Sequence, residues 1–355
     1  NDNFFLANIG NRNAGAILSQ GLLIINDSYF AFNVATDDYM ITPVVFGGGA
    51  IYQYNGLMEL NNSVFINNHA IGNTSSSGLG GAIIARNNVT NIYNCEFDQN
   101  VASNSGSAIY TNGELNIAES IIANNTAINH SSMIRVANGS LNITNSIITN
   151  NKTSYISVNN SKVNYAYDWW GTNDNPVNLT HNLGNSTVNL NNWVSAKLTF
   201  NNTHVTLGEQ IIGKLSLNEY TDGNNTYNMT SDLPEWNLIW TTNDGYNKPT
   251  YSTIKNESNL GYVTKASGNF TTTVVIDNQV LTYNFTVEPL TNHTTFIISP
   301  DYTFYYNSNL SPFLDINMYY GTITDCNGNV VANHNITLTL TRLTNFASND
   351  YYVTS

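Results

Sequence analysis

A chain of 355 residues with 41% hydrophobic content, 22 Tyr and 14 Phe has room for two or three domains and enough apolar mass for real cores, which excludes a disordered chain. Only 10% of its residues are charged, against roughly 25% in an ordinary soluble protein, so solubility must come from Ser, Thr and above all Asn, close to a fifth of the chain. A net charge of -13, with 11 Lys and Arg widely scattered, argues against nucleic acid and against an anionic membrane surface, both of which need clustered cations.

Residues 1 to 173 carry a repeat in which five positions recur at offsets 0, 2, 5, 7 and 10. Its copies are Leu23, Ile25, Ser28, Phe30, Asn33; Met58, Leu60, Ser63, Phe65, Asn68; Thr90, Ile92, Cys95, Phe97, Asn100; Leu115, Ile117, Ser120, Ile122, Asn125; and Leu141, Ile143, Ser146, Ile148, Asn151. A sixth is Val163, Tyr165, Asp168, Trp170, Asn173. Steps of two are strand steps, and the odd step between them is a corner. A third short strand precedes each copy, as in Gly49-Ala50-Ile51 and Gly81-Ala82-Ile83. Three short strands per coil predict an all-β, right-handed parallel β-helix, its hand taken from the general rule for parallel crossovers. The last Asn of each copy is expected at a left-handed corner, its amide bonding from rung to rung as a structural ladder.

Loop length varies after that Asn, and residues 34 to 46 and 69 to 78 are long. Insertions of this kind collect on one face, often the binding face. Asp37, Asp38 and Tyr39 make the first loop distinctive. A second interaction candidate is the stripe after the Ala-Ile strand, Leu18, Tyr52, Ile84, Tyr110 and Arg135, read as an exposed ladder whose aromatics suit sugar stacking or protein contact. Arg86 and Arg135 are expected to flank that strand in a solvated surface.

The sixth copy brings bulky aromatics, Trp169 and Trp170, followed by Trp193. They are expected to cap the open end, with residues 177 to 193 lying across it. From about residue 194, longer alternating strands with turns such as Asp222-Gly223 and Asp277-Asn278 predict an Ig-like antiparallel β-sandwich. The expected domains are the β-helix with its aromatic cap over 1–193, an Ig-like sandwich over 194–290, and a second Ig-like module over 291–355, short for a closed sandwich.

Polysaccharide lyases and hydrolases on such coils work with clustered carboxylates and a base. The outward row Ile24, Glu59, Asn91, Asn116, Asn142, Asn164 holds one carboxylate, and so does Tyr29, Val64, Glu96, Ile121, Ile147, Trp169. Asp98 is expected to face away from Glu96. No catalytic residue and no enzyme is expected. His69, His130 and His181 read as loop histidines without ligand spacing. Asp37-Asp38 and Asp174 raise calcium as a possible ligand, but without further acids nearby no metal or other cofactor is expected. Cys95 holds the slot of Ser in its sister rungs and reads as a buried thiol, in a different domain from Cys326. About twenty Asn-x-Ser/Thr sequons, among them Asn61, Asn88, Asn138, Asn142, Asn269, Asn284 and Asn335, are glycosylation candidates. No apolar run reaches about 18 residues, so no membrane insertion is expected of this segment. The opening in mid-repeat and the end without an anchor read as a fragment of a longer exported chain.

The rungs Gly80 to Ile83 and Asn145 to Asn151, the motif Trp169-Trp170-Gly171-Thr172-Asn173 and the turn Thr324 to Asn329 resemble the adhesin-like surface proteins of methanogenic archaea. The resemblance covers most of the chain, and the double Trp is its sharper signal. It implies extracellular, cell-surface display and contact with glycans or surface proteins of other cells, and supplies no catalytic residues. The alternatives are a structural subunit of a surface fibre or sheath, assembled from copies of this chain, and a polysaccharide lyase or hydrolase.

Overall fold

The computed structural model describes residues 2–36, 45–129, 132–149 and 155–289, apart from the side chain of Asn88, and beyond them the backbone of four short strands. The described residues are all-β, with no α-helix and a single 3-10 turn at Pro176–Leu179. Two compact units divide the chain: Asn1–Thr203 with Ile211–Tyr262 and Phe270–Phe285, and His204–Gln210 with Val263–Asn269 and Thr286–Ser355.

The first part of the larger unit is built from three parallel sheets. A six-stranded sheet runs Phe4–Leu6, Tyr29–Ala31, Val64–Ile66, Glu96–Asp98, Ile121–Ala123, Ile147–Thr149. A five-stranded sheet collects Ile9–Gly10, Val34–Thr36, His69–Ile71, Val101–Ala102 and Thr126–Ala127. A broad twelve-stranded sheet holds the rest, with Ile17–Asn26 and Ile51–Asn61 each running its full width. The chain visits the sheets in the same order coil after coil, so residues pair one repeat apart. Phe30 pairs with Phe65, Phe65 with Phe97 and Phe97 with Ile122; Met58, Thr90, Leu115, Leu141 and Val163 stack in turn. The offsets in the sequence are therefore the register of the sheets. Side chains of one kind then meet face to face: the rings of Phe5, Phe30, Phe65 and Phe97 lie parallel with centroids 4.5, 4.7 and 4.8 Å apart.

The corners differ from expectation in one respect. Left-handed backbone falls on Ala7, Phe32, Asn67, Gln99 and Asn124, each one residue before the recurring Asn. The recurring Asn faces inward instead, because a buried amide there can satisfy two neighbouring coils at once. Asn68 Nδ2 donates to Asn100 Oδ1 at 2.9 Å and to the Phe30 carbonyl at 3.0 Å, while its Oδ1 accepts from Asn33. Asn8, Asn33, Asn68, Asn100 and Asn125 form this ladder and the last four are fully buried. Asn151 lies outside the described residues. Asn173 is not in the ladder: its amide closes a pair of bonds with the Ala196 backbone, at 2.6 and 2.9 Å.

The end of the stack also differs. Residues 177–193 do not lie across it but continue it, since Thr180–Asn182 pairs in parallel with Ile156–Asn159, and Thr187–Leu190 with Lys162–Ala166. Strand alternation sends the two adjacent tryptophans to opposite faces. Trp170 and Trp193 enter the core of the coils, and Trp170 sits edge-on to Tyr165 at 5.0 Å. Trp169, fully buried, joins a second core with Val194, Leu215, Leu217, Leu238, Trp240, Val274 and Ile276.

That second core belongs to two antiparallel sheets. Trp193–Phe200 pairs with Gln210–Thr221, which also pairs with Thr226–Asn228 and Glu257–Val263. Trp236–Thr242 pairs with Thr250–Ile254 and with Gly268–Ile276, the latter joined through the left-handed Asp277 to the strand starting at Gln279. The Asp277 carboxylate accepts from Trp169 Nε1 at 2.7 Å and Trp236 Nε1 at 2.8 Å. With the Asn278 N–H on the Gly171 carbonyl and the Asn173 N–H on Gln279 Oε1, it ties the Trp-Trp-Gly-Thr-Asn segment to the hairpin.

In the smaller unit, His204–Thr206 pairs in parallel with Thr286, Val287 and Glu288, and the Thr264 hydroxyl donates to the carbonyls of Thr206 and Glu209. Short antiparallel pairs join Thr295–Phe296 to Ile323–Thr324 and Thr337–Leu340 to Tyr351–Thr354. Otherwise the module expected over 291–355, with Cys326, lies outside the described residues.

Candidate functional site

Six successive strand pairings set Leu18, Tyr52, Ile84, Tyr110, Arg135, Ser157 and His181 side by side across the broad sheet. Leu18 is exposed, but the stripe does not continue from it as an exposed ladder. Tyr52 and Ile84 are fully buried with Ala14 and Leu79 in a small separate core, against which Val45, Tyr54 and Tyr110 pack. The cause is the long loops, which lace together over the sheet: the Phe46 N–H donates to Ser76 and the Leu79 N–H to Phe46. Beneath them the Tyr52 hydroxyl donates to the Val45 carbonyl and accepts from Arg86 Nη1, 3.1 and 3.2 Å away.

Past these loops the sheet opens into a cleft of about 470 Å³. Tyr110 and Arg135 form its floor together with Ser157 and His181, and Leu79 and Leu183 supply apolar patches. Four further serines (Ser75, Ser76, Ser105, Ser132), two asparagines (Asn104, Asn129) and Val45 line the rest. Several of these groups are held in place: Asn104 Nδ2 donates to the carbonyls of Thr74 and Ser75, and the Ser105 and Ser132 hydroxyls bond at 3.1 Å. Arg135 Nη1 donates to the Ser157 hydroxyl at 2.6 Å. Among the described residues no carboxylate lines the cleft. Arg135 is half-buried, not the solvated residue expected, and burial pushes its guanidinium down from the ordinary value. Burial pushes the Tyr110 phenol up, while the charges of Arg135 and Arg86 draw it back. A cleft with dense hydroxyl and amide donors, one aromatic floor and a cation can hold a polar, ring-shaped molecule bearing negative charge.

The other candidates lie elsewhere. Asp37, Asp38, Tyr39 and His130 fall outside the described residues, and Asp174 is exposed. Among the described residues no three His, Cys, Asp or Glu side chains gather as a metal would require. His69 and His181 sit on strands rather than loops. Cys95 is buried with its thiol pushed up to about 12, and its backbone N–H donates to the Ser120 hydroxyl. Glu96 and Asp98 do not face apart: both flank the inward Phe97, so they share the outer side of the sheet. Burial, and then the neighbouring Asp98, raise the Glu96 carboxyl. Of the sequon asparagines, Asn138, Asn269 and Asn284 are exposed, Asn61 and Asn142 donate their amides to Asn26 and Asn116, and Asn335 and the side chain of Asn88 lie outside the described residues.

Two features escape the sequence reading. An outer amide ladder runs Asn91, Asn116, Asn142, Asn164, Asn189, each donating to the one before; the row was visible as outward asparagines, but not their bonding. Ser157 and His181 extend the stripe into the cleft, and only continuing the repeat through the less regular last coils would have found them. No protein-family model matches the chain, and no curated protein does.

Proposed function

We propose that the chain is an extracellular cell-surface protein of adhesin-like type, in which a right-handed parallel β-helix carried on Ig-like sandwich modules binds glycans of other cells through the Tyr110–Arg135 cleft. The observation that carries this reading is the cleft's lining: convergent hydroxyls and amides over a Tyr, on a rigid sheet, with no acid–base pair among its described residues. Carbohydrate sites take this form because each sugar hydroxyl must exchange water for a protein partner while the ring's C–H face packs on an aromatic. Composition agrees. A surface solubilised by Asn, Ser and Thr, with exposed sequons at Asn138, Asn269 and Asn284, suits glycosylation and display outside a cell.

A glycan array probed with the purified chain tests the reading. Binding to a defined set of glycans, lost in Tyr110→Ala and unaccompanied by turnover, is the expected result. No binding to any glycan, or release of reducing or unsaturated sugar ends, overturns it.

A further inference from the structure

Among the described residues, the ion pairs use lysine: Lys197 with Glu219, Lys214 with Glu257, Lys255 with Asp232. Among the described residues Arg135 and Arg86 have no carboxylate partner, although the chain carries 24 Asp and Glu against 11 Lys and Arg. At Arg135 burial outweighs the neutral hydroxyl and phenol beside it and lowers the guanidinium, whereas at Arg86 the bond to the Tyr52 hydroxyl outweighs burial and raises it. Both act on the same phenol, Tyr110. Arg86 follows the strand Ile83–Ala85, and Arg135 lies on Ile134–Ala137, with the Tyr110 strand between them. The two arginine-bearing strands are thus two spacings apart, about 10 Å. Arg135 spends one N–H on Ser157 and keeps the rest of its fork, the geometry that meets a carboxylate in two parallel bonds. In so acidic a chain, long-range attraction does not draw an anion, so recognition rests on these local contacts.

We infer that the cleft is selective for acidic oligosaccharides, with a uronic-acid carboxylate on Arg135 and its sugar ring over Tyr110. This rests on the glycan-binding reading above and names its ligand class. The recognition is by charge-assisted hydrogen bonds, and no covalent step is involved.

The test is calorimetric titration of the purified chain with oligomers of galacturonate, of mannuronate and guluronate, and of glucuronate-containing hyaluronan, each beside its methyl-esterified form. At least one acid is expected to bind about tenfold or more tighter than its neutral ester, because the ester removes the charge and keeps the ring. Arg135→Gln should lose about tenfold for the acid and little for the ester, and Arg135→Lys should retain part of the preference. Thermal unfolding of each variant separates a binding loss from a folding loss, and the acid-against-ester comparison on the unaltered chain needs no variant. Equal binding of acid and ester overturns the charge selectivity and leaves the glycan reading standing. An acid preference that survives Arg135→Gln in full overturns the assignment to this cleft. No binding of any acid or ester, together with a blank glycan array, overturns both.

Discussion

The coils and the antiparallel sheets beside them are stabilised in different ways. In the coils, polar groups are satisfied by repetition: buried Asn amides bond to the next Asn, and Ser hydroxyls accept from the N–H one coil before, as Ser63, Ser120 and Ser146 do. In the antiparallel part, Lys–carboxylate pairs line the surface and a single carboxylate, Asp277, gathers two indoles. Repetition protects a coil only while every member of a ladder is present, so one deletion there harms its neighbours on both sides. Exposed ion pairs contribute little each and fail independently.

The largest effect is therefore expected inside the inner ladder. Asn100→Ala removes the acceptor of the Asn68 N–H and of one of two bonds made by the Asn68 amide, together with the donor to the Phe65 carbonyl and to Asn125 Oδ1; a loss of about 4 kcal/mol is expected by chemical denaturation. At the seam between the two regions, Asp277→Ala strands both indole N–H groups and should cost about 2–3 kcal/mol. Replacing the same residue by Asn, which keeps an acceptor and tolerates the left-handed backbone, should recover part of it.

Asp168 sharpens the comparison, because it is a carboxyl placed in the Ser row. Its Oδ1 accepts from the Ser146 N–H as a serine would, while Oδ2 is buried without a partner and burial raises its pKa well above the ordinary carboxylate value. The folded state thus keeps the proton when the unfolded chain has released it. Stability is full below the unfolded carboxyl value, about 3.9, and falls as pH rises from there toward the raised folded value, by up to about 1.4 kcal/mol per unit. Asp168→Asn should flatten that slope and raise the melting temperature at neutral pH; an unchanged slope would place the titration elsewhere. The smallest effect is a gain. Phe32 is exposed and holds φ at 57°, a conformation that suits Asn better, so Phe32→Asn should stabilise by about 1 kcal/mol.

How much of this was legible in the sequence follows the same division. The register was, because Phe65 and Phe97, or Leu115 and Leu141, recur at fixed offsets that only stacked coils satisfy. The Asn ladder was legible as a row but not in its geometry: an inward amide and a left-handed corner both favour Asn, and Asn67 beside Asn68 hides which is which. Loops have no period. Nothing in the repeat says that residues 45–46 and 74–79 fold over Tyr52, so the stripe read as exposed is covered at Tyr52 and Ile84 and open at Leu18 and near Arg135. Trp169 and Trp170 were legible as the end of the repeat, yet that adjacent residues must face opposite cores follows from strand geometry alone and assigns one to each region. Glu96 and Asp98, two apart on one strand, should have been read as neighbours on the same argument.

This face of the coils is, on the reading above, a ligand cleft and not merely a gap between loops. A crystal grown with the tightest-binding uronate oligomer tests it most directly. A carboxylate within hydrogen-bonding distance of the Arg135 guanidinium and a sugar ring against Tyr110 are expected; an empty cleft with the oligomer bound elsewhere on the chain would overturn the assignment.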